Sequence, residues 1–172
     1  MNDRRIATRL EDLADLEDLR TRSGLEFMQD LIAGNLAAPP IGATLNFWPV
    51  LAAKGQVDFE GTPNFEACNP MRGVHGGWYG AILDSCMACA VMTCVPKGRV
   101  YTTLEFKINI TRAAPIGMAL RATGLVTHAG RTTGVATGEV RGIEDGKLYA
   151  TGSTTCIIMD APPPAPDQDG PA

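Results

Sequence analysis

Residues 68–96, CNPMRGVHGGWYGAILDSCMACAVMTCVP, join a polar turn to a nearly continuous apolar run. The turn ends in His75-Gly76-Gly77, and Trp78–Val95 is apolar or small almost throughout, with one carboxylate, Asp84, inside it. A helix this apolar must be covered on most sides. An ionisable group within it is costly unless it has a partner or a task. N–H groups freed at a Gly-Gly helix start, an acid two turns further in, and no metal ligands beside them outline a site for a polarised carbonyl and a water.

The chain has 172 residues, enough for one domain with a substantial core. Its apolar content of 45% and charged content of 20% are ordinary for a globular protein. A net charge of -4 with no lysine or arginine cluster argues against a nucleic-acid partner. The first residues carry early positive charge but no continuous apolar segment, so no secretion signal is read there and a cytoplasmic location is expected. Trp78–Val95 barely reaches the length of a membrane span. Its central aspartate would cost about 2.5–3.5 kcal/mol on insertion, so a buried core helix is the expectation and no membrane is involved. The five cysteines are expected to be reduced, mostly buried thiols. With only His75 and His128 to join them, no four-ligand zinc spacing emerges and no metal is expected.

Along the chain, residues 7–33 read as one or two amphipathic helices, with Leu10, Leu13, Leu16 and Leu19 at helical spacing. Ser23 is a candidate N-cap with Glu26 three residues on, and Gly34 closes the segment. Ile41–Phe47 and Val50–Phe59 read as strands broken at Pro49. After the apolar helix come four runs with turn signals between them, Val100–Thr111, Met118–His128, Thr132–Ile143 and Leu148–Met159. In the first, Leu104, Phe106, Ile108 and Ile110 alternate with Thr103, Glu105, Lys107 and Asn109, which places Thr103 on the polar face. The expected architecture is α+β, an antiparallel sheet wrapped around one long helix. Residues 1–40 form a helical extension, 41–160 the main domain, and the Pro-rich tail 161–172 has nothing to bury and reads as disordered.

The pattern Asn69-x5-His75-Gly76-Gly77-x6-Asp84, followed by Thr103-Leu104-Glu105-Phe106-Lys107-Ile108-Asn109, resembles the hotdog-fold acyl-CoA thioesterases of the phenylacetate-pathway (PaaI-like) type. The Gly-Arg-Thr-Thr turn at 130–133 and the Asp-Gly-Lys-Leu hairpin at 145–148 fit the same family, and the likeness covers roughly residues 45–160. The resemblance implies hydrolysis of an aromatic or medium-chain acyl-CoA, with no cofactor beyond the coenzyme A that the substrate carries. It gives Asp84 the part of general base or nucleophile, Gly76 that of an N–H donor to the thioester oxygen, Asn69 that of orienting thioester or water, and Thr103 that of assisting the acid. It also implies a homodimer or homotetramer in which Asn69 and Gly76 of one subunit face Asp84 and Thr103 of another.

Chemistry supports these roles on its own terms. Thioester hydrolysis develops negative charge on the carbonyl oxygen, which N–H groups at a helix start are placed to receive. A carboxylate in apolar surroundings gains affinity for a proton, as a base requires.

Each residue also has a plainer reading. Asp84 could be a satisfied polar group at a packed seam. Gly76 and Gly77 could serve only close packing. His75 is read mainly as fixing the turn, beside the substrate, and Asn69 could be only a turn residue before Pro70. Thr103 could be an ordinary exposed strand threonine. Trp78 could line an acyl pocket or pack at an interface. Arg131, Thr132 and Thr133 could meet coenzyme A phosphates or be a solvated turn. Arg72 could reach a phosphate or a neighbouring acid, and the N-terminal helices could cap an acyl pocket or alter the oligomer. The competing functions are a non-catalytic acyl-CoA-binding or scaffold protein and a hotdog hydratase or dehydratase, whose usual His–acid pair His75 does not match.

Overall fold

A computed structural model of the chain describes residues 5–162. The tail expected to be disordered lies almost wholly outside them.

Side chains that satisfy orphan N–H groups start the first two helices. Helix α1 (Leu16–Thr21) opens at Asp15, whose carboxylate accepts from the Asp18 N–H while Asp18 accepts from the Asp15 N–H. Helix α2 (Gly24–Ala33) opens at Ser23 and Glu26 in the same reciprocal arrangement. Gly34 closes it with φ 83°, a conformation glycine adopts without a Cβ penalty. The expected cap and stop of α2 are therefore observed. The leucine spacing from Leu10 to Leu19 does not make one helix. Asp12 accepts from both the N–H and the hydroxyl of Thr8, closing a separate turn that leaves Leu10 80% exposed.

The stretch expected as a strand at Ile41–Phe47 is mostly helical. Pro40 sits at the first position of helix α3 (Pro40–Leu45), where its missing N–H costs nothing, and the Thr44 hydroxyl donates back to the Pro40 carbonyl. Strand β1 (Phe47–Ala53) then runs through Pro49, which sits at a bulge on an edge strand and removes no central ladder bond. The chain reverses not at Pro49 but at Gly55, with φ 82°, so the predicted run Val50–Phe59 is a hairpin into strand β2 (Gln56–Gly61).

Helix α4 (Gly76–Met92) follows, and then strands β3 (Arg99–Ile110), β4 (Leu120–Ala129), β5 (Thr133–Gly142) and β6 (Leu148–Asp160). These four match the predicted runs to within two residues at each end. All six strands form one antiparallel sheet in the order β1-β2-β4-β5-β6-β3, with α4 packed on it. Ile82, Leu83, Cys86, Met87 and Val91 of α4 are fully buried among Val57, Leu120, Ala122, Ala136, Val140 and Ala150 of the strands. Each large aliphatic side chain buried this way contributes about 1.5–3 kcal/mol. The approach is close enough that a Cβ on Gly124 would stand 2.2 Å from the Cys86 carbonyl oxygen.

The extension is fastened to the far end of this helix. The Gly24 N–H donates to the Val95 carbonyl at 2.9 Å, and a Cβ on Gly24 would lie 1.8 Å from the Met92 oxygen.

Two features bear on the site. An outer, less buried stripe of α4 carries Gly77, Ala81, Asp84, Ser85 and Cys89, none of them fully buried. The sheet ends at β3, whose outer edge has no strand beside it among the described residues and whose Leu104, Phe106 and Ile110 are 60%, 45% and 46% exposed. Among the described residues, no helix is long and apolar enough to cross a membrane.

Candidate active site

Asp84 lies in the middle of the outer stripe of α4 and accepts a hydrogen bond at Oδ1 from the Thr103 hydroxyl, at 3.1 Å. Strict alternation put Thr103 on the polar face with Glu105 and Lys107. A β-bulge corrects this. Thr103 pairs with Cys156 and Glu105 with Thr155, so Leu104 is the extra residue and the faces exchange across it. Thr103 therefore points at the helix, and so do Phe106 and Ile108, which lie against Gly80.

Burial raises the Asp84 carboxyl above its ordinary pKa, and the Thr103 hydrogen bond opposes that shift. Its neighbours are neutral. The Cys89 thiol is pushed up to about 12 by burial, and Tyr101, which bonds to it, is held well above the usual tyrosine range, again chiefly by burial. No ion pair to Asp84 occurs among the described residues. The result is a carboxylate with one hydroxyl donor and no cation, in apolar surroundings. Sequence reasoning missed Tyr101 and Cys89. Tyr101 shares the parity of Thr103 on β3, and Cys89 shares the Asp84 stripe of α4, so both could have been found by placing Thr103 toward the helix.

The helix start is built differently from a bare glycine pair. His75 is the N-cap, and its Nδ1 accepts from the Gly77 N–H at 2.9 Å. The Trp78 N–H donates to the His75 carbonyl. Gly76, at the first helical position, has no acceptor four residues back, and no described residue accepts from its N–H. One free donor, not two, is available there. A Cβ on Gly77 would stand 3.0 Å from His75 Nδ1, so the second glycine makes room for the cap. His75 thus holds the turn, and the Gly77 N–H assigned to substrate is already engaged.

Asn69 ties down the loop in front. Its Oδ1 accepts from the N–H groups of Met71 and Gly73, and its Nδ2 is 3.4 Å from the Val74 carbonyl. The loop holds Arg72 at φ 64°, an uncommon conformation for a residue with a side chain. Trp78 is only 2% exposed and donates from Nε1 to the Leu45 carbonyl at 2.7 Å, edge-on to Phe47 and Tyr79. It is a core residue. Arg131, Thr132 and Thr133 are exposed at the turn into β5. Gly134, Cys156 and Thr103 form one row across β5, β6 and β3, so this turn begins about 10 Å from the Thr103 strand.

The two chemical halves are separated within one chain. Gly76 and Asp84 are eight residues apart on one helix, about 12 Å along its axis. A thioester carbonyl cannot touch both.

The thioesterase superfamily model matches residues 72–149, a segment spanning the helix start, Asp84 and Thr103. A phenylacetic acid degradation-related protein from Ralstonia eutropha JMP134 is 27% identical, superimposes with a TM-score of 0.70, and aligns over 76% of this chain and 98% of its own. A conserved protein from Pseudomonas aeruginosa is 29% identical, with a TM-score of 0.65 over 69% of this chain and 93% of its own. A hypothetical thioesterase from Streptococcus pneumoniae, solved with coenzyme A, shares the fold at 22% identity and a TM-score of 0.61, over 69% and 92%. None of the curated proteins compared with the chain matches it. Over residues 72–149 the chain is similar to the thioesterase superfamily, and its fold is the hotdog fold of the Ralstonia and Pseudomonas proteins.

Proposed function

We propose that the protein hydrolyses acyl-CoA thioesters, with Asp84 of one subunit and the Gly76 N–H of another acting on the same carbonyl. The observation that carries this is the Asp84–Thr103 pair, an apolar-set carboxylate with a hydroxyl partner and no counter-cation. Asp84 takes a proton from water, and the oxygen attacks the thioester carbon. Charge then builds on the carbonyl oxygen, which the Gly76 N–H receives at the positive end of α4. When the intermediate collapses, the C–S bond breaks and the thiolate leaves with the proton held by Asp84.

The pairing of subunits is supported by three observations: the 12 Å gap within a chain, the partly exposed stretch of α4 at Gly77, Ala81 and Asp84, and the open apolar edge of β3. An unpaired strand edge is a template for another chain, and a two-fold partner would bring each Gly76 toward the other subunit's Asp84. Coenzyme A in the pneumococcal relative supports the thiol assignment. Arg131, Thr132 and Thr133 are proposed to meet its phosphates, and the soluble homo-oligomer is proposed to work in the cytoplasm. Asn69 acts by holding the loop that presents the helix start.

Free-thiol release from a panel of acyl-CoAs tests the reading. Wild type turns over at least one of them, and Asp84→Ala and Asp84→Asn lose most of that turnover. Undiminished rates in both variants would rule out Asp84 as the base.

A further inference from the structure

Beside Asp84 is an apolar cavity of about 100 Å³ that the proposed chemistry leaves unused. Its floor is Ser85 and Cys89 of α4, and Trp48 of β1 forms one wall. Phe47, Pro49 and Phe59 also line it, and Leu31 of α2, Ala38 and Ile41 close the side toward the N-terminus. Ser85 follows Asp84 directly, and Cys89 is close enough to Asp84 to feel its charge. All three lie on the outer stripe of α4, which puts the cavity floor within about one and a half helical turns of Asp84.

The lining decides what can occupy it. Apart from Ser85, Cys89 and the Trp48 indole N–H, the lining side chains are hydrocarbon, with no cation for a phosphate, so the cavity suits hydrocarbon. Its volume limits the occupant, because an apolar cavity of about 150 Å³ accepts a benzene ring. Ile41, 51% exposed, places further apolar surface at the mouth. We infer that the N-terminal extension completes an acyl pocket, its Leu31 and Ala38 together with Ile41 of helix α3 selecting short aliphatic acyl groups. This rests on the thioesterase reading above.

Two measurements separate the pocket from the chemistry. In the first, kcat/KM is followed along straight-chain acyl-CoAs from acetyl to decanoyl. Wild type gains about threefold to fourfold per methylene up to about four to six carbons, where the space is filled. Leu31→Ala, which enlarges the pocket, moves the optimum to longer chains, and Ala38→Val, which fills it, moves the optimum to shorter ones. A flat wild-type profile, or one optimum shared by all three proteins, overturns the pocket.

In the second, non-hydrolysable alkyl thioethers of coenzyme A are titrated by tryptophan fluorescence, using Trp48 in the wall as the reporter and Trp48→Phe as the control. Affinity that rises with chain length and a signal lost in Trp48→Phe support the pocket even if no thioester is hydrolysed. Affinity independent of chain length overturns it, whatever the hydrolytic activity.

Discussion

The Thr103 hydroxyl reaches Asp84 Oδ1 at 3.1 Å only because a bulge at Leu104 turns Thr103 toward α4. The hydrogen bond favours the ionised carboxylate, against the burial that raises its pKa. Thr103→Val removes the bond and leaves the burial. The acidic limb of the kcat/KM profile then moves to higher pH, and the rate below the limb falls about tenfold, the equivalent of one hydrogen bond to a charged acceptor. Thr103→Ser restores both. An unmoved limb in the valine variant would show that the hydroxyl does not act on Asp84.

The same raised pKa makes a stability prediction. Between the unfolded-state value, near 3.8, and the higher folded value, the native protein holds a proton that the unfolded chain has released. Stability contributed by Asp84 is therefore greatest below that window and declines as pH rises through it. Asp84→Asn removes the decline, so its melting temperature exceeds that of wild type by a few degrees at neutral pH, with the gap closing toward pH 4. Melting curves from pH 4 to 8 check this. A gap independent of pH would mean that burial does not perturb the carboxyl.

Much of this arrangement was legible in the sequence. The apolar run with its single acid specified the central helix, because such a run must be covered on most sides. Turn residues bounded β3 to β6, and Ser23 with Glu26 marked the start of α2. Other features depended on information that periodicity does not hold. A bulge reverses strand parity with no residue that signals it, so alternation placed Thr103 on the wrong face while the family resemblance named it as a partner of the acid. Ile41–Phe47 read as a strand, yet Pro40 starts helix α3 over most of it. The His75 cap consumes a donor that a glycine pair alone appeared to free. The pocket wall at Leu31, Ala38 and Ile41 needed the tertiary path of the extension.

His75 and Gly77 act as one unit at the start of α4. Gly77→Ala would bring a Cβ to within 3.0 Å of His75 Nδ1 and displace the cap. Loss of an N-cap costs about 1 kcal/mol, which lowers the melting temperature by roughly 2–4 °C. His75→Ala costs a similar amount, and the double variant costs less than the sum because both changes remove the same bond. Fully additive losses would show that the glycine does not serve the cap.

The edge strand predicts the assembly. Lysines in place of Leu104 and Phe106, both exposed on β3, put charge on the proposed pairing edge. The double variant sediments as a folded monomer and loses at least about a hundredfold in kcat, the scale of losing an oxyanion donor. A monomer with wild-type turnover would contradict the shared site.

The most direct test uses two inactive variants mixed together. Gly76→Pro removes the free N–H at a position where proline suits a helix, and His75, at φ -64° and ψ 140°, already has the conformation a following proline requires. It loses about 10²–10³ in kcat, and Asp84→Asn is inactive for want of the base. If each site takes Gly76 from one subunit and Asp84 from the other, a mixed dimer holds one intact site and one doubly damaged site. Refolded together in equal amounts, the variants recover about one quarter of wild-type activity, since half of the dimers are mixed and half of their sites are whole. Activity that stays at the mean of the two separate variants would place both groups in one chain and contradict the account.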